Sequence, residues 1–335
     1  MIVENRRSRA HLDLVLIVMV FSLALFSILA VSVATYSTSS SEDASLLTHI
    51  VESSYAMRQC LFVLIAPVII TTLLNIPYDF YYRRAGFIYV AATVLVLFTL
   101  VSNGATGVKA WTDIIYGYTI QPSEFIKLAL ILFLARLLSR YEHPLSNLRQ
   151  LIELGVTVGI PAIIVLASGE MGSLMVVIFI VAVMLFFANT KASTLWLLLL
   201  AAVLMIAALF GYMVAFNSDS YRLARIMAFI DPSSYSSTDA YQQTQSKIAI
   251  GSGGLTGIGI FVNGAWSQLN YVPADWTDFI FATIGEAFGF VGCMAIILVY
   301  LGIILRMLYL ARYTRDRFGM LVIIGVMAML LFHVF

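Results

Sequence analysis

Residues 275–290 read DWTDFIFATIGEAFGF. Most of the stretch is apolar, as in a membrane helix, yet Asp278 sits at its mouth and Glu286 lies two turns deeper. A charge inside a bilayer costs about 2.5–3.5 kcal/mol on insertion scales, so each intramembrane carboxylate marks a candidate site. An acid at a helix N-terminus has a second use, because it caps the helix and is favoured by the dipole. Asp278 is therefore open to both readings, capping and chemistry. Glu286 stands ~12 Å further along the axis, too deep to cap. It is expected to pair or hydrogen-bond inside a helical bundle.

The rest of the chain supports a membrane reading. Its 335 residues are 61% hydrophobic and 11% charged, with mean hydropathy +0.96. Soluble domains carry about 45–50% apolar and about 25% charged residues. The fold class expected is an all-α polytopic membrane protein. A net charge of +1 gives no bulk field for nucleic acid. Cys60 and Cys293 both sit in apolar runs and the four histidines are scattered, so no disulfide or metal spacing is read. Arg6, Arg7 and Arg9 precede an apolar run longer than a cleaved signal, which reads as a retained first span.

Nine spans are expected, at about 12–35, 57–75, 86–102, 123–139, 151–167, 173–188, 195–216, 278–305 and 319–335. The fifth and sixth are short and flank a turn, SGEMG at 168–172. With the N-terminus cytoplasmic, thirteen Lys and Arg fall inside against five outside (Arg58, Lys109, Arg222, Arg225 and Lys247), with Lys127 left inside a span. That bias places Asp278 at the outer face. Residues 1–335 read as one transmembrane domain, and 217–277 as a large outer loop with re-entrant or interfacial parts. Its Gly251–Gly259 run is expected to let the backbone turn and approach a ligand closely. It is not a Walker A loop, since no Gly-Lys-Ser/Thr follows.

The ionisable residues in or beside the spans are Arg58, Glu124, Lys127, Glu153, Glu170, Asp278 and Glu286. In QPSEFIK (121–127), Pro122 suits a first helical position. Glu124 and Lys127 lie i, i+3 on one face and can pair. That pair serves either to make Lys127 tolerable in the bilayer or to attract anions to a cavity. Glu170 is either a turn carboxylate or a cavity group. Arg58 suits an interfacial arginine that snorkels.

Several stretches together resemble the SEDS family (shape, elongation, division and sporulation). They are NGATGVKAW (103–111), QPSEFIKLALILFLA (121–135), RIMAFIDP (225–232), YQQTQSKIAIGSGGLTGIG (241–259), WSQLNYVPADWTDFIF (266–281) and GEAFGFVG (285–292). QSKIAIGSGG and TDFIF lean toward the RodA branch over the FtsW branch. The resemblance implies a peptidoglycan glycosyltransferase of the bacterial cytoplasmic membrane. Such an enzyme polymerises lipid II into glycan strands, in cell-shape maintenance or division, beside a class B penicillin-binding protein. It implies a catalytic role for Asp278 and substrate-binding roles for Lys127, Glu124 and Arg58. Lys109 stands where the family's Arg-Arg-Trp begins. Gln268, with Asn270 and Trp266, is a candidate to hold sugar. Positive charge for the pyrophosphate leaving group would come from Lys127, Arg58, Lys109 or a divalent cation (Mg or Mn). Glu170 and Glu286 are expected to be structural or cavity residues.

The sequence also departs from the family pattern. Ala274 replaces Glu, Trp276 replaces His, Ala287 replaces a second Glu, and Glu170 replaces Asp. The family continues past the point where this chain stops, through a further loop and a tenth span, so a missing last span is expected. Two rival functions stay open, a flippase for lipid-linked oligosaccharide and a non-catalytic scaffold for the penicillin-binding protein.

Overall fold

A computed structural model describes residues 12–36, 46–101, 111–115, 118–216 and 238–334. The elements are α1 Leu14–Ala34, α2 Leu46–Glu52, α3 Ser54–Asn75, α4 Tyr78–Val101, β1 Thr112–Ile115, β2 Tyr118–Ile120, α5 Pro122–Ser139, α6 Leu148–Ala167 and α7 Met171–Phe187. They continue as α8 Ala192–Phe216, α9 Thr238–Ser252, α10 Ile280–Tyr313 and α11 Arg317–Val334. A helix stands at each of the nine expected spans. Six of them (α1, α3, α4, α6, α10 and α11) are long and apolar enough to cross a membrane. Of the others, α7 has 17 residues, and α5 carries Glu124, Lys127 and Arg136 within 18.

Helix α4 begins at Tyr78 and α10 runs to Tyr313, each a good two turns beyond the expected end. The extra turns carry Arg83 and Arg84, or Arg306 and Arg312. Such turns read as polar in sequence but propagate a helix well. The chain is not purely helical, because β1 and β2 form a short antiparallel hairpin pairing Thr112 with Ile120 and Asp113 with Thr119. Isoleucines and tyrosines favour that extended pairing.

By internal contacts the chain divides into two compact units, Met1–Ile70 with Ala224–Ile303, and Thr71–Leu223 with Ile304–Phe335. In the second unit α5 is the central helix. Ile126, Leu130, Ile131, Leu134 and Leu138 are buried along it. They pack with Val177, Ile180 and Met184 of α7 and Leu321 and Ala328 of α11. Two polar devices complete this unit. The Arg317 guanidinium donates to the carbonyls of Ala188 (2.7 Å) and Glu142 (3.1 Å), placing a cation at the C-terminal end of α7.

The second device repairs a helix. Pro161 lies inside α6 and has no N–H for the carbonyl four residues earlier. That carbonyl, of Thr157, instead accepts the Tyr89 hydroxyl at 2.8 Å. Tyr89→Phe orphans a buried acceptor, and a loss of about 1–3 kcal/mol is expected. Thermal unfolding in detergent measures it, and an unchanged midpoint would count against this repair.

In the first unit, residues 253–259 lie against α10 where that helix breaks. Gly289 is at φ 64°, ψ −164°, which is not helical. The break separates the N–H groups of Phe290 and Val291 from their usual partners, the carbonyls of Glu286 and Ala287. All four groups find new ones. Phe290 N–H donates to Gly254 O (2.9 Å) and Val291 N–H to Leu255 O (3.1 Å). Glu286 O accepts from Ile258 N–H (3.0 Å) and Ala287 O from Gly259 N–H (3.1 Å). Non-helical backbone at membrane depth is tolerated only when satisfied in this way.

Glycine makes the approach feasible. A Cβ on Gly257 (φ +83°) would lie 2.1 Å from Ala287 O, and one on Gly289 would lie 2.3 Å from Gly257 N. The close approach that the glycine run makes among the described residues is therefore to α10.

Candidate functional site

Asp278 stands on a turn ahead of α10. Ala274, at φ 58°, turns the chain. Its carbonyl accepts from Thr277 N–H (3.1 Å) and Phe279 N–H (3.2 Å), and from the Thr277 hydroxyl (3.2 Å). These bonds fix the turn on which Asp278 is displayed. Its side chain is exposed, and among the described residues none donates a hydrogen bond to it. Helix α10 begins at Ile280. The capping reading of Asp278 is thus corrected, because its carboxylate satisfies no helical N–H.

Glu286 behaves as its depth requires. It is 2% exposed. Its Oε1 accepts the backbone N–H of Trp266, while Oε2 accepts the Ser267 N–H (2.9 Å) and hydroxyl (2.8 Å). The carboxylate therefore pins the 266–267 turn to α10, a contact that spacing alone did not reveal. Trp266 also donates its indole N–H to Gln245 Oε1 at 2.7 Å, tying α9 into the same cluster. Gln268 follows this turn. Its Oε1 accepts the Gly264 N–H at 2.6 Å, and its side chain borders a polar cavity. Arg58, on the first turns of α3, is exposed, with its guanidinium 5.9 Å from the Tyr55 ring centroid.

Asp275 was not anticipated as a site residue. It is 1% exposed, and neither carboxylate oxygen makes a hydrogen bond to a described residue. Burial pushes its pKa from 3.8 to about 7, against the nearby backbone N–H groups of Trp276 and of Asp275 itself; the Glu286 charge adds to the rise. One signal was present in the sequence: the acid that the family pattern has at position 274 is absent, and an acid stands one residue later.

The raised pKa has a consequence for stability. Between about pH 4 and 7 the folded chain keeps a proton that the unfolded chain releases. Stability therefore falls as pH rises through that window and levels off above it. Asp275→Asn mimics the protonated form. It is expected to melt like the parent near the acid end and above it at alkaline pH. Melting temperatures that track each other across the whole range would refute this.

The remaining candidates lie in the second unit. Lys127 is 1% exposed on α5, and its Nζ donates to Glu124 Oε1 at 2.7 Å. The expected i, i+3 pair is present. His333 Nδ1–H donates to Met329 O at 2.6 Å, which leaves Nε2 to accept from Lys127 Nζ at 3.4 Å. The buried cation thus has two acceptors. Glu170 stands at the turn between α6 and α7. Its Oε2 accepts from Gln121 Nε2 (2.7 Å), Ser123 Oγ (2.6 Å) and Ser173 Oγ (2.7 Å). It joins the start of α5 to the start of α7, a contact that only its i, i+3 neighbour Ser173 hinted at. Lys109, the N-terminal arginines and residues 217–237 of the loop lie outside the described residues. Among the described residues no three His, Cys, Asp or Glu converge.

Comparisons with known proteins bear on the family and the fold. The family model FTSW_RODA_SPOVE, described as cell cycle protein, matches residues 14–335. The peptidoglycan glycosyltransferase MrdB of Escherichia coli K12 is 33% identical over 273 residues, covering 80% of this chain and 71% of MrdB. A chain from a peptidoglycan synthase complex, described as coordinating polymerization and crosslinking, superposes with TM-score 0.73 at 20% identity, covering 95% of this chain and 83% of that one. The rod shape determining protein RodA of Thermus thermophilus superposes with TM-score 0.65 at 19% identity, covering 97% and 84%. At such identities the superpositions show the shared fold.

Proposed function

The chain belongs to the FtsW/RodA/SpoVE family of cell cycle proteins, and from that premise we propose that it is a peptidoglycan glycosyltransferase polymerising lipid II. The observation that carries the proposal is the exposed Asp278 carboxylate, which accepts no hydrogen bond from the described residues and is held on a braced turn at the mouth of an apolar helix. A free carboxylate in that position is a general base within reach of a membrane-bound substrate. The positive-loop bias supports a cytoplasmic N-terminus and an outer-face position for Asp278 in the plasma membrane.

The reaction balances around one base. Asp278 accepts the proton of an acceptor sugar 4-hydroxyl as its oxygen attacks the anomeric carbon of a lipid-linked donor. The new glycosidic C–O bond forms as the bond to the pyrophosphate oxygen breaks, with inversion. Pyrophosphate leaves as an anion and needs no proton, so a second acid is unnecessary. It does need positive charge. Arg58, in the unit that holds Asp278, supplies it. Lys127 with Glu124, and Lys109, are further substrate-binding candidates that rest on the family resemblance, while Glu170 joins the starts of α5 and α7 and Glu286 pins the 266–267 turn to α10.

A class B penicillin-binding protein is the partner proposed, supported by the likeness to a chain of a complex that couples polymerization and crosslinking. The deciding experiment incubates purified protein with such a partner and lipid II. Glycan strands are expected. Lipid II crossing vesicles in a Glu124-dependent way without polymer would instead establish the flippase, and growth rescue without polymer would establish the scaffold.

A further inference from the structure

The first unit holds a cavity of about 440 Å³, within the range of about 300–1,000 Å³ typical of small-molecule sites. It opens where the end of α1, the start of α3 and the 266–276 segment meet. Its wall has three features that together select a ligand class. Among the described residues it contains no Asp, Glu, Lys, Arg or His. It is rich in neutral hydrogen-bonding groups, including the Thr35 and Ser53 hydroxyls, which lie 2.6 Å apart, and the amides of Gln268 and Asn270. It also carries an aromatic pair, Tyr55 and Trp276, with ring centroids 5.5 Å apart and planes tilted by 32°. Tyr55 keeps 46% of its surface exposed.

Each feature excludes something. A wall without cations gives nothing to a pyrophosphate, which needs charge to leave water. A wall dense in hydroxyls and amides is a poor host for a lipid tail. A tilted aromatic pair, Tyr55 exposed and Trp276 half-buried, beside such groups suits a ring with an apolar face and polar edges. A pyranose has that shape. Trp276 lies two residues before Asp278, so their Cα atoms are within ~7 Å, and a ring stacked there sits close to the reacting carboxylate.

We propose that this cavity is a subsite for uncharged amino-sugar rings, stacked on Tyr55 and Trp276. The inference rests on the polymerase reading for its biological meaning but not for its test. The rings would come either from the growing glycan strand or from an incoming lipid-linked disaccharide. Trp276, which stands where the family pattern has His, makes the platform particular to this chain.

The test is a titration of the full chain in detergent with chitotetraose, a β-1,4-linked N-acetylglucosamine oligomer. Saturable binding is expected, not displaced by inorganic pyrophosphate. Trp276→Ala and Tyr55→Ala should each weaken it about tenfold, while Trp276→Phe should keep most of it. The readout is saccharide binding and not polymer synthesis, so the subsite can stand even if the polymerase reading falls. A parallel titration with a short-chain lipid-linked disaccharide identifies the source, through whichever ligand the two alanine variants weaken more. Melting temperatures confirm that the variants are folded. If the parent shows no saturable binding, if both folded alanine variants bind like the parent, or if pyrophosphate displaces the saccharide, the proposal is overturned.

Discussion

Asp278→Asn is expected to lower lipid II polymerisation by roughly two to four orders of magnitude, the usual contribution of a positioned general base. Asparagine keeps the size and polarity of the side chain but cannot accept the hydroxyl proton. The structure adds a second expectation that separates this loss from misfolding. The carboxylate is exposed and accepts no hydrogen bond from the described residues, so the substitution should change stability by no more than about 0.5 kcal/mol. Rates of strand synthesis and melting temperatures are measured on the same preparations. Full activity in the variant would end the base assignment, and a large fall in melting temperature would show that Asp278 holds the fold after all.

Gly257→Ala is expected to have the largest effect on stability, of about 4 kcal/mol or more. Two costs coincide there. The backbone is at φ +83°, and the new methyl would meet Ala287 O at 2.1 Å, Ala287 C at 2.4 Å and Phe288 N at 2.6 Å. Those atoms belong to the backbone of α10, which cannot swing aside as a side-chain tip can. The result should be undocking of residues 253–259. Gly251→Ala is the matched control, since a Cβ there meets nothing within 4 Å and the residue is helical. It should be neutral or slightly stabilising. Equal melting temperatures for the two variants would refute the close-approach argument.

How far the sequence could be read depended on whether a feature was local. Apolar runs revealed a helix at each of the nine expected spans, since length and hydropathy need no partner, whereas α2 and α9 lie outside those runs. The Glu124–Lys127 pair was equally legible, because one helical turn fixes both ends. Glu286 was legible only in part. Its depth demanded a partner, but the partners Trp266 and Ser267 lie about twenty residues upstream in a segment with no periodicity. The glycine run was visible, and its permissive backbone was read correctly. What it approached was not legible, because its contact lies across a break in α10 that no proline announces. Asp275 escaped because it sits beside a more conspicuous acid and is buried by packing that no local pattern encodes. Its neighbour Ala274, at φ 58°, shows the same limit, since nothing about alanine signals a left-handed turn.

The broken helix also offers an isotopic reporter. The amide protons of Phe290 and Val291 sit well inside a membrane helix, where exchange with solvent deuterium is ordinarily very slow. Yet they are held by Gly254 and Leu255, so their protection equals the free energy of lifting that segment, not of melting the helix. Two amides exchanging faster than their helical neighbours on both sides would time the opening of the loop directly. The same pair, slowed when substrate or partner binds, would reveal whether either one clamps it shut.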